Sequence, residues 1–122
     1  MKKTDNTKSG TPTSMRDSMK RAVTELLILT LLRERPMYTY DLMQALEQRS
    51  GGVLEFNALY IALHRLQDNG FVLQEQRTVS EQNRMRVYYG ITPAGAEYLT
   101  RLRATYFELT DAIGRIVMRE GA

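Results

Sequence analysis

A chain of 122 residues with 43% hydrophobic content is sized for one compact domain with a modest core, to which an extra interface would add. It has no cysteine, which excludes disulfides and thiolate metal sites, and its longest apolar run, AVTELLILTLL, is about half of a membrane span and contains Glu25. The net charge of +3 is uneven: six cations against Asp5 and Asp17 put +4 in residues 1–21 and leave −1 for the rest, so a polyanionic partner must be argued from individual charges.

In chain order, residues 1–13, MKKTDNTKSGTPT, read as a disordered, slightly basic tail. Their lysines precede no apolar run, so no secretory signal is expected and the cytoplasm is the default location. From Ser14, the positions Met15, Met19, Val23, Leu26, Leu27 and Leu29 follow helical spacing. Pro36 ends that helix, with Arg33 and Arg35 placed to meet its C-terminal carbonyls. A short second helix is expected in YTYDLMQALEQRSGG, with Thr39 as N-cap, Leu42, Ala45 and Leu46 as its buried stripe and Gly51–Gly52 as its stop. The third helix is read across EFNALYIALHRLQDNG, residues 55–70, and capped by Asn69–Gly70. At about 100° per residue, Leu59, Ala62, Leu63 and Leu66 share one side. The other carries Asn57, Ile61, His64 and Asp68, flanked by Tyr60 and Arg65.

Past Gly70 the period changes to two. FVLQEQR and MRVYYGI, separated by the polar TVSEQN, read as a β-hairpin. Its loop lacks an Asn-Gly type of turn, so a longer, mobile connection is expected. Met85, Val87, Tyr89 and Ile91 should face one way, Arg86 and Tyr88 the other. Thr92 and Pro93 then restart a helix as N-cap and first helical residue. Along it Tyr98, Leu102, Tyr106, Leu109, Ile113 and Ile116 form a seam of roughly three heptads. Nothing else in this sequence remains to cover that seam, so a dimer interface is expected. The divisions are thus a tail at 1–13, a domain at 14–91 and a dimerisation helix at 92–119.

The expected fold class is mainly α with a β-hairpin wing: a winged helix-turn-helix plus a long C-terminal dimerisation helix. A DNA major groove about 12 Å wide accepts one helix, while a flanking hairpin reaches backbone or minor groove. On helix three, Asn57 and His64 suit base edges or phosphates, Ile61 suits a thymine methyl, and Tyr60 and Arg65 sit at the rim. Ala58 and the turn residues Tyr38, Thr39 and Tyr40 are expected at the same DNA-binding surface. The wing offers Arg77, Arg84 and Arg86 to phosphates. The plainer alternative is a half-exposed helix beside solvated hairpin charge. Met15 and Met19, one turn apart, are candidates for an adaptable apolar effector cavity if the terminal helix of a partner subunit packs there, against a plain role as core or interface filler. His64 stands alone: there is no nucleophile elbow, no Gly-rich phosphate loop and no paired carboxylates. No catalytic residue, metal ligand or cofactor is therefore expected.

The segments LLILTLLRERPMYTYDL, ALYIALHRLQDNGFV and RVYYGITPAGAEYL resemble the PadR family of bacterial winged-helix transcription regulators, in its short form with a single C-terminal helix. The resemblance implies a homodimer held by the C-terminal helix, often also packing on helix one. Such a dimer represses from a roughly two-fold-symmetric operator on double-stranded DNA, with no membrane association, and is released by phenolic or other small hydrophobic compounds. It places Tyr60 and the outer face of helix three at DNA, Arg86, Tyr88 and Tyr89 at the basic-aromatic end of the wing, and Tyr106 and Phe107, in a chain without Trp, as stand-ins for the aromatic plate of the effector pocket. The sequence departs from the family pattern in Thr39, where glycine is usual, and in Ile61, where proline is usual. A protein-docking winged helix and a small-molecule-binding dimer without operator binding are the alternatives, the first favoured by the near-neutral charge beyond residue 21.

Overall fold

The computed structural model describes residues 10–57, 59–79 and 84–118. Most of the expected tail (1–9), Ala58, the hairpin tip (80–83) expected to be mobile, and Arg119 lie outside these residues, as does the side chain of Arg84. The chain order is α1 (Pro12–Leu32), β1 (Met37–Tyr38), α2 (Thr39–Arg49), α3 (Tyr60–Asp68), β2 (Val72–Val79), β3 (Arg84–Ile91) and α4 (Pro93–Val117). This is a winged helix-turn-helix continued by a long C-terminal helix.

Helix α1 starts two residues earlier than expected. Thr11 caps it by accepting a hydrogen bond from the Ser14 N–H at 3.1 Å, with Pro12 as the first helical residue. The same Thr-Pro device opens α4, where Thr92 accepts from the Gly95 N–H at 3.0 Å. Helix α2 differs in the other direction. Thr39, expected as its N-cap, is its first helical residue; Tyr38 holds the cap position and makes no side-chain cap bond. The reason is pairing: Met37 and Tyr38 form a two-residue strand antiparallel to Tyr89 and Tyr88. That adds a third strand to the hairpin, in the order β1-β3-β2.

The largest departure is at α3, which begins at Tyr60 rather than near Glu55. The chain leaves α2 through Gly51 and Gly52, whose φ values of 65° and 83° are left-handed. The Ser50 hydroxyl then holds the Leu54 N–H at 2.8 Å, and Phe56 packs half-buried against the core. Residues 53–57 are therefore tied down outside a helix, and Asn57 is not on α3. At its far end α3 closes as expected: Gly70 adopts φ 79°, the Gly70 N–H reaches the Gln67 carbonyl and the Phe71 N–H the Leu66 carbonyl. These two bonds make a Schellman cap.

The core gathers Ile28 and Leu29 of α1, Leu42 and Leu46 of α2, Leu59, Leu63 and Leu66 around α3, Met37, Val72 and Tyr89 of the sheet, and Leu99 of α4. Each fully buried leucine of this set contributes roughly 1.5–3 kcal/mol. The alternation expected in β3 holds near its base, where Tyr89 is buried opposite Met37; toward the tip Met85 and Val87 run off the core and are exposed. Among the described residues no helix is long and apolar enough to cross a membrane.

Helix α4 is fastened to the corner where α3 meets β2. The Thr92 N–H donates to the Phe71 carbonyl (3.1 Å) and the Thr92 hydroxyl to the Gly70 carbonyl (2.6 Å). One turn on, Gly95 packs against the same Phe71 carbonyl; a turn later the Tyr98 ring stacks on Phe71 at 4.3 Å between centroids. The expected seam is thus shortened. Tyr98 and Leu102 pack against the chain's own core, and Leu99, which the seam omits, is 1% exposed. The stripe that remains uncovered runs from Tyr106 through Leu109 and Ile113 to Ile116.

Candidate nucleic-acid interface

Ala62, Leu63 and Leu66 bury one side of α3. The helical period therefore turns Tyr60, Ile61, His64 and Arg65 outward, and all four are exposed. Ile61 stands out, with 79% of its surface open to solvent. This ridge runs between two grooves.

On the wing side lies a cleft of about 440 Å³ lined by Tyr38, Thr39, Tyr40, Tyr60, Gln74 and Arg86, with Val87 and Tyr89 behind them. Register accounts for the aromatic and cationic residues of one sheet face, while Gln74, paired with Tyr89, belongs to the other. Tyr38 is opposite Tyr88 and Arg77 opposite Arg86, and directly opposed residues share a sheet face. The Arg86 guanidinium rests 4.5 Å from the Tyr38 ring centroid, and Tyr38 is stacked with Tyr40 at 6.0 Å and lies 5.4 Å from Tyr88. A cation held on an aromatic face is oriented by about 0.5–1 kcal/mol without losing its charge. Among the described residues Arg86 has no ion pair, so its positive charge stays available. Arg77 differs: it lies over Tyr88 at 4.6 Å but also bonds Glu75 at 2.8 Å. The Tyr89 hydroxyl is pushed above its ordinary pKa, first by burial and then by Tyr60.

The second groove, of about 490 Å³, lies between α3 and α1 and includes Ile61 and Arg65 with Asp17, Lys20, Arg21 and Phe56. Arg65 is bound here: its Nε donates to Glu25 at 2.8 Å, and the other Glu25 oxygen accepts from the Tyr98 hydroxyl at 2.8 Å. Burial, and then that bond to Glu25, raise the Tyr98 pKa. One carboxylate on α1 thus joins the outer helix α3 to the C-terminal helix α4.

Of the residues expected at this surface, Tyr38, Thr39, Tyr40, Tyr60 and Arg86 come together at the wing cleft. Ile61 and Arg65 border the α1 groove, with His64 on the ridge between. Asn57 lies apart, in a hollow shared with Tyr40, Glu47 and Glu55. Its two acidic neighbours make it a poorer phosphate site than its sequence position suggested. Sequence reasoning missed Gln74, Lys20 and Arg21. The basic excess of residues 1–21 was the available signal for the last two, but not for which element they would face.

A third cavity, of about 610 Å³, lies between α1 and α4. All four residues expected at an effector cavity line it: Met15, Met19, Tyr106 and Phe107. Tyr106 and Phe107 meet edge to face at 5.1 Å, and Val23, Leu27 and Lys20 also line the cavity.

A family model described as "Transcriptional regulator PadR-like family" matches residues 28–101. A transcriptional regulator of Mycobacterium tuberculosis is 37% identical over 94 residues, which is 77% of this chain and 85% of that protein. A transposon-encoded protein of Streptomyces fradiae is 38% identical over 77 residues; that stretch is 63% of this chain but only 21% of that longer protein. Among solved structures, a PadR family transcriptional regulator from Eggerthella lenta is 30% identical with a TM-score of 0.73, covering 89% of this chain and 92% of that one. A transcriptional regulator from Clostridium thermocellum shares the fold at a TM-score of 0.75 and 24% identity, with coverage of 82% and 98%.

Proposed function

Because the chain belongs to the PadR-like family of transcriptional regulators, we propose that it is a homodimeric repressor that binds a pseudo-palindromic operator and leaves it when a small phenolic or hydrophobic compound fills the cavity between α1 and α4. The observation that carries this reading is Ile61. An aliphatic side chain 79% open to solvent, next to His64 and Tyr60 on a helix with cations to either side, is suited to a thymine methyl with donors and acceptors beside it. Arg86, uncompensated and oriented by Tyr38, supplies phosphate attraction at the wing.

Pairing two copies through the open stripe of α4 would set two recognition helices about 34 Å apart, one turn of duplex. The α4 helix is also where release acts. Tyr106 and Phe107 line the cavity, and Thr92 and Tyr98 hold α4 to the exit of α3. A compound that binds better to one placement of α4 than to another therefore shifts the placement of α3.

The test is selection of bound duplexes from a random pool, followed by a nuclease footprint on the gene's own promoter and a screen for compounds that release it. A protected two-fold-symmetric site is the expected result. Binding without sequence preference, or none, refutes the reading.

A further inference from the structure

The groove between α1 and α3 has a charge pattern that the wing cleft does not explain. Lys20 and Arg21 occupy adjacent positions on α1, facing Ile61 and Arg65 across the groove. Among the described residues neither forms an ion pair. The Lys20 ammonium lies 5.1 Å from the Phe56 ring centroid, a contact that places a cation without cancelling it. Two acids share this flank. Glu25 is already engaged by Arg65 and Tyr98, which leaves Asp17 alone against Lys20 and Arg21.

We propose that this groove is a second phosphate-binding rail, so that α3 is bordered on both sides by sites for DNA backbone. The inference rests on reading α3 as the helix that enters the major groove. A helix with its side chains is roughly 10–12 Å across, and the major groove is about 12 Å wide. Whatever borders α3 on either side therefore meets one of the two phosphate strands that line the groove. Arg86 and Tyr38 meet one strand at the wing; Lys20 and Arg21 meet the other from α1. Part of the N-terminal basic excess is thereby folded onto the flank of the recognition helix. The same Glu25 draws the Arg65 guanidinium toward α1, where the pair is compensated, and leaves the base-facing ridge to Ile61 and His64.

The test uses the full chain and two duplexes, the selected operator and a scrambled one, titrated by fluorescence anisotropy between 50 and 200 mM salt. The double variant Lys20→Gln/Arg21→Gln should bind both duplexes more weakly by the same factor, since phosphates carry no sequence. Its plot of log affinity against log salt should flatten by about 0.9 per lost contact, or roughly 3–4 for two cations in each of two subunits. Asp17→Asn should shift affinity the opposite way, binding both duplexes more tightly, an effect that a merely structural role for this face would not produce. A double variant with the wild-type salt slope, or an Asp17→Asn protein that binds no more tightly than wild type, overturns the inference while leaving the operator reading standing. A wild-type protein that binds neither duplex overturns that reading and this inference with it.

Discussion

Gly95 offers a sharp test of how α4 is seated. A Cβ at this position would lie 2.0 Å from the Phe71 carbonyl oxygen and 2.9 Å from both the Phe71 carbonyl carbon and Ile91 Cγ1. Comfortable carbon–oxygen contacts start at about 3.3 Å, so Gly95→Ala demands a displacement of about 1.3 Å. The carbonyl cannot simply tilt away, because it accepts the Thr92 N–H at 3.1 Å. Overpacking of this kind costs about 1–3 kcal/mol, and weakening the Thr92 bond adds about 1. The better helix propensity of alanine returns about 1. The net loss is about 2 kcal/mol, which lowers the melting temperature by roughly 6–10 °C for a chain of this size. Gly114, in the same helix, has nothing within 4 Å of its would-be Cβ. Gly114→Ala should therefore stabilise by about 0.5–1 kcal/mol through propensity alone. Thermal and urea unfolding at one fixed protein concentration measure both, since self-association makes melting concentration-dependent. A Gly95→Ala protein melting at or above wild type, or both variants moving the same way, would refute the close approach of α4 to Phe71.

Other outcomes separate the roles assigned to single residues. Leu109→Glu, placing a charge in the open stripe of α4, should convert a dimer to monomers in sedimentation experiments; a persistent dimer would remove that stripe as its support. Arg86→Ala should weaken binding to every duplex and flatten the salt slope by about 0.9 per subunit, and an unchanged slope would deny it a phosphate. Ile61→Ala should instead narrow the gap between operator and scrambled duplex at a constant slope, and an intact preference would exclude its contact with bases. Tyr98, raised by burial and by its bond to Glu25, and Tyr89, raised by burial and Tyr60, favour the folded state in their protonated forms. That contribution is complete below the ordinary tyrosine pKa near 10 and is lost as pH rises through the raised folded values. Urea midpoints should fall between pH 9 and 11, and fall less in Tyr98→Phe; an equal fall would show that Tyr98 plays no part.

Local chemistry made much of the architecture legible before any fold was known. The Thr92–Pro93 start of α4, the Gly70 end of α3 and the two-residue period of the hairpin each depend on neighbours a few positions away. The Thr11–Pro12 start of α1 was equally local and was overlooked only because polar surroundings disguised it. The outward face of α3 from Tyr60 to Arg65 was readable for a similar reason, since three leucines and an alanine at helical spacing leave no choice of side. Asn57 was misplaced because helical periodicity reads on into residues 55–57. The Ser50 hydroxyl on the Leu54 N–H and the packing of Phe56 on the core hold that stretch out of the helix, and the second of these contacts is contained in no local pattern.

What the sequence by itself determined is therefore the kind and order of the elements, and which side of each is apolar, because caps, turns and periodicity act over less than two turns of chain. The tertiary structure alone decided the neighbours. It paired Met37–Tyr38 with β3, turned Tyr98 inward to Glu25 and Phe71, and set Lys20 and Arg21 beside α3. Those relations join residues up to 73 positions apart, and they exist only once a common core has brought the helices together.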